Sequence, residues 1–202
     1  MTNNYAVLIA GVGGMGAMST SNVLKEYGIQ NPNIVQVRAS ESRGVSQREG
    51  SVYACVKYVL SEKMTNESNE IPKPPGHNIV LSPHPRVQSV DVLLAIEPLE
   101  FLRNLHFLKT DGVAVINNQK NVPKSCITSK EASYPEMQKK ITQVKALLPD
   151  LKIISNNYTR AALAKFNLSI MANVLMLNTL PEIDPRIFDP KSFTQIVDSL
   201  NM

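Results

Sequence analysis

Two short stretches hold the residue types whose spacing could do chemistry. The first, IAGVGGMG at residues 9–16, sets Gly11, Gly13 and Gly16 in a G-x-G-x-x-G pattern with Gly14 between them. The second, SESRGVSQREGSV at residues 40–52, gathers Glu41, Arg43, Ser46, Gln47, Arg48 and Gly50. Small residues entering a helix present backbone N–H groups, and an anion is welcome there. Two guanidiniums in a loop can each grip a phosphate or carboxylate through two parallel hydrogen bonds. A plain alternative is a solvated ion-pair loop built from Glu41, Arg43, Arg48 and Glu49, of little energetic worth.

A dinucleotide site needs a strand, the glycines, a helix, and an acid about 20 residues on for a ribose. Here Glu26 falls inside the first helix and Glu41 comes late, in a loop unlike a ribose site. The adenylating fold of ubiquitin-activating type shares G-x-G-G-x-G, but its supporting Arg, Asp and Cys pairs are missing. No His or Lys sits in an acid–base motif, since His77, His84 and His106 are scattered. The spacing places His84 in a proline-flanked loop and His106 on a helix surface.

The elements that must position these stretches alternate between strand and helix periods. Strands are expected at Tyr5–Ala10, Asn33–Ala39, Ser51–Leu60, His77–Leu81, Val90–Ile96, Val113–Asn117 and Leu151–Ser155. In Ser51–Leu60, Tyr53, Cys55 and Lys57 form the wetter face. Helices are expected at Gly16–Tyr27, stopped by Gly28, and between Pro98 and Gly112 with Leu99, Leu102, Leu105 and Leu108 aligned. Further helices open at Pro135, with Met137, Ile141, Val144 and Leu148 inward, and at Phe193–Leu200. A long one spans Arg160–Leu180 on the stripe Leu163, Phe166, Ile170, Val174, Leu177. Residues 61–76 read as an exposed polar loop. The pattern predicts an α/β three-layer sandwich, Rossmann-like, with a largely parallel or mixed central sheet. Polar residues then collect where strands end, at Ser40–Ser42, Glu97–Pro98, Asn117–Gln119 and Asn156–Asn157, on the edge where ligands of such sheets sit. Glu97 and Glu100 are read as structural, because acids suit a helix N-terminus regardless of function.

Composition excludes several classes. The chain of 202 residues is 43% hydrophobic and 19% charged, enough for one sizeable core. Residues 5–24 lack charge but are interrupted by Gly, Ser, Thr and Asn, so no membrane span is expected. Asn3 and Asn4 follow Met1 with no basic start and no cleavage-like site, which points to the cytoplasm. The net charge is +4, but with 5% aromatics and no Trp the chain has no base-stacking ladder, so no nucleic-acid partner is expected. Two cysteines, Cys55 and Cys126, cannot alone hold an iron–sulfur cluster or a structural zinc.

IAGVGGMG, ESRGVSQREGSV, VDVLLAIEPLEFLRNLHFLKTDGVAVIN and NVLMLNTL, in that order, resemble the γ-type subunit of 2-oxoacid:ferredoxin oxidoreductases. Among these the chain looks most like the β subunit of indolepyruvate:ferredoxin oxidoreductase. The family reads G-V-G-G-Q-G, then E-x-H-G-M-x-Q-R-G-G-x-V, then D-V-L-L-x-x-E-x-x-E ending in x-N, then N-x-x-x-L-G-x-L. The resemblance covers nearly the whole chain, as one γ-type domain over residues 1–202. Met15 stands where Gln is usual, Arg43 for His, Glu49 for Gly and Asn178 for the late Gly. Gln47, Arg48 and Gly50 fit.

The resemblance implies coenzyme A-dependent oxidative decarboxylation of a 2-oxoacid, indolepyruvate or a related aryl-pyruvate, with single electrons passed to ferredoxin. It implies that this chain binds no cofactor. Thiamine diphosphate, magnesium and iron–sulfur clusters would lie on a larger partner subunit, with coenzyme A as co-substrate, and the isolated chain would be inactive. Gly11, Gly13, Gly14, Gly16, Glu41, Arg43, Ser46, Gln47, Arg48 and Gly50 would then line the coenzyme A or substrate approach. Two other readings stand beside this one: a free-standing nucleotide- or coenzyme A-binding regulatory module, and an NAD-dependent dehydrogenase.

Overall fold

Residues 5–12, YAVLIAGV, are apolar with no alternation, which suits a strand covered on both faces. In the computed structural model, which describes residues 4–43, 50–61, 82–122, 126 and 133–199, they form the middle of the sheet. The strands are β1 (Asn4–Val12), β2 (Ile34–Arg43), β3 (Ser51–Leu60), β4 (Val90–Ala95), β5 (Leu108–Asn117) and β6 (Lys152–Asn156). Their spatial order is β2-β3-β1-β4-β5-β6. β1, β4, β5 and β6 pair in parallel, whereas β3 runs antiparallel to both β1 and β2. The sheet is therefore mostly parallel with one reversed strand, as the expected largely parallel or mixed sheet allows. Ser46, Gln47, Arg48, Glu49 and the strand expected at His77–Leu81 lie outside the described residues.

Helices cover both faces. On one, Val7 and Ile9 of β1 meet α1 (Ala17–Gln30), α5 (Ala172–Leu177) and α7 (Pro190–Ser199). On the other, Ala6, Leu8 and Ala10 meet Phe101 of α2 (Pro98–Asn104) and Ile141 and Val144 of α3 (Met137–Leu147). The foot of α1 is sealed by an aromatic cluster. Phe188 contacts the rings of Tyr5, Tyr27, Tyr58 and Phe193, with centroids 5.2–6.2 Å away. The Tyr27 hydroxyl donates to Ile187 O at 2.8 Å and accepts from the Asp189 amide at 2.9 Å.

Several expectations need correction. Gly28 is no helix stop: α1 continues to Gln30, and a Cβ on Gly28 would lie 2.6 Å from the Tyr58 ring, so the glycine lets the helix approach β3. The helix expected between Pro98 and Gly112 ends at Asn104, and after a 3₁₀ turn at Leu105–Phe107 the chain enters β5. The long helix at Arg160–Leu180 is four pieces: α4 (Tyr158–Phe166), a 3₁₀ turn at Ser169–Met171, α5, and α6 (Leu180–Ile183). Asn167, left-handed at φ 55°, breaks it. The wetter face of β3 is dry. Cys55 and Lys57 are buried there, and the Lys57 amine donates to the carbonyls of Ser82 and His84.

Candidate functional site

The glycine stretch closes β1 with a tight, internally braced turn. The Met15 amide donates back to Val12 O at 3.0 Å, while Gly14 and Gly16 take φ of 93° and 85°, a region glycine enters at no steric cost. The Gly13 amide donates to Gly50 O at 2.8 Å, at the base of the β2–β3 hairpin. Asn173 of α5 donates its amide to Met15 O at 2.9 Å, and a Cβ on Gly16 would stand 2.7 Å from that same nitrogen. Gly11 lies against Ile96, whose amide donates to Ala10 O.

The turn and the second stretch do meet, though by a different route from a parallel crossover. β3 lies between β1 and β2, and its antiparallel run pairs Ser51 with Val12 and Val52 with Gly11. The hairpin between Arg43 and Gly50 is thereby carried to the edge that holds the glycines. Arg43 pairs with Val52 through the backbone. Glu41 lies within β2, not in a loop, two strands away from the turn at a lateral distance of about 10 Å, and approaches Lys25 Nζ at 3.7 Å. This geometry tells against a ribose acid. A dinucleotide cradle also wants its amides free, yet those of Gly13 and Met15 point inward.

The rest of the edge is a fabric of amides and carboxylates. Buried Glu97 caps α2 by accepting from the amides of Leu99 at 2.7 Å and Glu100 at 3.2 Å, and it also accepts from the Tyr134 hydroxyl and the Asn121 amide. Burial and this carboxylate push the Tyr134 hydroxyl well above its ordinary range. Fully buried Glu100 accepts from Ser51 Oγ at 2.6 Å and from Arg103 at 2.5 Å. It thus ties α2 to the first residue of β3. Both acids have structural duties, as read from the sequence. Asn117 donates to Ile96 O and Thr159 Oγ1, Asn118 pairs with Asn156 O, and Asn157 caps α4 at the Arg160 amide.

Two of the unusual residues can be rationalised. Met15 packs partly buried against the core, with Asn121 Nδ2 3.8 Å from its sulfur, so an apolar side chain occupies the place of an amide. Asn178 is right-handed at φ −64°, so no glycine is needed there. Sequence reading passed over Asn173, Tyr134 and Asn121. Asn173 did carry a signal, as the lone amide in MANVLML and the first residue of the last motif.

As for cofactors, two cysteines are too few for a cluster, and Cys55 is buried with its thiol pushed up to about 12 by desolvation. Among the described residues no three His, Cys, Asp or Glu side chains converge as metal ligands. The residues of this chain do not fit an iron–sulfur group. Among the described residues no helix is long and apolar enough to cross a membrane.

Comparison with known proteins matches this architecture. A family model described as pyruvate ferredoxin/flavodoxin oxidoreductase spans residues 6–198. Subunit IorB of indolepyruvate oxidoreductase from Archaeoglobus fulgidus is 27% identical over 174 residues, covering 86% of this chain and 74% of the relative. Its counterpart from Pyrococcus horikoshii is 26% identical over 181 residues, covering 88% and 77%. The fold resembles the gamma subunit of keto/oxoacid ferredoxin oxidoreductase from Geobacter sulfurreducens, with TM-score 0.59 and 16% identity over 96% of this chain and 85% of that one. It also resembles pyruvate oxidoreductase subunit PORC from Thermotoga maritima, with TM-score 0.58 and 17% identity over 98% and 93%. The chain belongs to the pyruvate ferredoxin/flavodoxin oxidoreductase family and is a subunit of a 2-oxoacid oxidoreductase of that kind.

Proposed function

We propose that this chain is the small, cofactor-free subunit of a cytoplasmic indolepyruvate-type 2-oxoacid:ferredoxin oxidoreductase, a single domain that completes the reaction centre of a larger subunit. The partner would carry thiamine diphosphate, magnesium and the iron–sulfur clusters. Thiamine diphosphate supplies the electron sink for decarboxylation and the clusters supply the one-electron path to ferredoxin. The names of the similar IorB proteins support the substrate class.

The observation that carries the reading is the Gly13–Gly50 hydrogen bond. It makes the glycine turn a brace for the arginine hairpin rather than a nucleotide cradle. The hairpin base is further held by Ser51 on Glu100, which is itself held by Arg103. The segment that carries Gln47 and Arg48 in the sequence starts and ends on this fixed base. Arg48, with Arg43 beside it, would receive the anionic end of the substrate or of coenzyme A, and a guanidinium suits either because it binds both oxygens of such a group. Gly11, Gly14 and Gly16 keep side chains out of that approach.

In the assembled enzyme, Arg48→Ala is expected to raise the apparent KM for coenzyme A by about tenfold to a hundredfold, the loss of one charge-assisted contact. Assembly and thermal stability should not change. An unaltered coenzyme A dependence removes Arg48 from the site. The chain purified alone should show no iron–sulfur absorbance and no thiamine diphosphate binding. A brown isolated chain contradicts the assignment of cofactors to the partner.

A further inference from the structure

The apolar stripe of residues 163–177 reads in sequence as one buried helix face, but the break at Asn167 splits it. Val174 and Leu177 stay in the core, while Leu163, Leu168 and Ile170 turn outward with 47%, 57% and 53% of their surface exposed. Three of the eight exposed large hydrophobics among the described residues thus fall within one eight-residue stretch; Ile29, Val35, Val87, Val122 and Leu147 are far from it in sequence. Isolated apolar side chains on a surface mean little, whereas a contiguous group marks a contact. Beside the group, a cleft of about 260 Å³ opens between α1 and α5, lined by Thr20, Val23, Ile170, Asn173, Val174 and Leu177. That is room for one large apolar side chain.

The segments that carry the patch and the cleft wall are poor in acids, with Glu26 and Glu182 just beyond them. Residues 1–25 and 151–181 contain no Asp or Glu, and the cations nearest the patch in sequence are Arg160 and Lys165. Among the described residues neither side chain has an ion-pair partner, and Lys165 lies over the Phe166 ring at 5.0 Å. The patch also adjoins the glycine turn: a Cβ on Gly16 would be 3.1 Å from Ile170 Cδ1, and Asn173 in the cleft wall holds Met15 O.

We infer that the surface formed by Leu163, Leu168, Ile170 and the α1–α5 cleft is the seat of the larger subunit, which inserts an apolar anchor into the cleft and sets carboxylates against Arg160 and Lys165. This rests on the proposed role as a completing subunit and names the face that the role uses. An exposed apolar group next to a pocket, with two cations nearby in sequence that have no ion-pair partner among the described residues, is the arrangement of an anchored interface with a steering rim. Because Ile170 and Asn173 touch the turn, docking here fixes the glycines and the hairpin against the partner's reaction centre in the same step.

The test co-expresses this chain with the thiamine- and cluster-bearing subunit from the same source and measures recovery and affinity of the complex. L168D/I170D should weaken association at least about a hundredfold while leaving the melting temperature of the isolated chain within about two degrees. L147D, at an exposed site on the other face, serves as the control and should assemble normally. R160E/K165E should slow association about tenfold at low salt and much less at high salt. Wild-type affinity in L168D/I170D overturns the docking face and leaves the proposed function standing. Loss of assembly in L168D/I170D together with unchanged coenzyme A dependence in Arg48→Ala supports the docking face and sinks the hairpin's role. A wild-type chain that forms a dimer by itself, abolished by L168D/I170D, assigns the patch to a second copy and overturns the inference.

Discussion

The two ends of α1 are built on opposite plans. At its foot, Tyr27 is gripped by Ile187, Asp189 and Asn31 and packed between Phe188 and Phe193. At its head, Gly16 offers no side-chain cap, the first turn carries no acid, and the neighbouring Gly14 has nothing within 4 Å of where its Cβ would be. One end spends its residues on packing and the other keeps side chains out of the way. The difference sets dense packing at one pole of the helix and, on the proposed function, the contact with the reaction centre at the other, so substitutions at the two ends should fail in different ways.

The largest effect should come from the foot. Phe193→Ala empties a fully buried aromatic site and is expected to destabilise the chain by about 3–5 kcal/mol, read as a shifted denaturant midpoint. A loss of less than about 1 kcal/mol would break the comparison. Next, Tyr27→Phe leaves the Asp189 amide without its partner and the Ile187 carbonyl with only the longer bond from Asn31, at about 1–3 kcal/mol, and the assembled enzyme should keep its coenzyme A dependence. Gly16→Ala inverts the pattern. The left-handed backbone costs a non-glycine about 1–2 kcal/mol, and the new Cβ presses on Asn173. Turnover of the complex should fall further than that stability loss explains, and an unaffected turnover would erase the functional half of the contrast.

The smallest effect is a pH dependence belonging to the packed interior. Burial pushes the Cys55 thiol from 9.0 up to about 12 and raises the hydroxyls of Tyr5, Tyr27 and Tyr58 above 10.0. The unfolded chain releases these protons first, so the stabilisation is complete below about pH 9 and is lost as pH climbs from there. Lys57, whose ammonium is depressed by burial, acts in the opposite sense up to 10.5 and makes the early decline shallow. Melting temperatures between about pH 8 and 11 should fall, and Cys55→Ala should flatten the first part of that fall.

Much of this arrangement was legible in the sequence. The six observed strands lie where apolar runs predict them, and the glycine turn and hairpin share an edge as expected. What misled was periodicity without tertiary context. Leu108 continues the i, i+3 spacing of α2 yet begins β5, and Gly112 is a glycine because the Asp91 carbonyl would be 3.0 Å from its Cβ, not because a helix stops. Asn167 could have been read as a break, since Asn tolerates the left-handed region better than most residues. The lone amide of MANVLML marked Asn173, but its partner Met15 is 158 residues away, and Tyr134 with its partner Glu97 37 residues away carried no such mark.

The reversal of β3 has one more consequence. Nine register pairs lock β3 to β1, and the β2–β3 pairing locks it from the other side, so the segment between Arg43 and Gly50 hangs from a frame that does not depend on what that segment contains. The two pairings act as a handle whose own contacts run up to Arg43 and resume at Gly50 and Ser51. Substitutions between Arg43 and Gly50 are therefore expected to leave the β1–β3 and β2–β3 pairing intact.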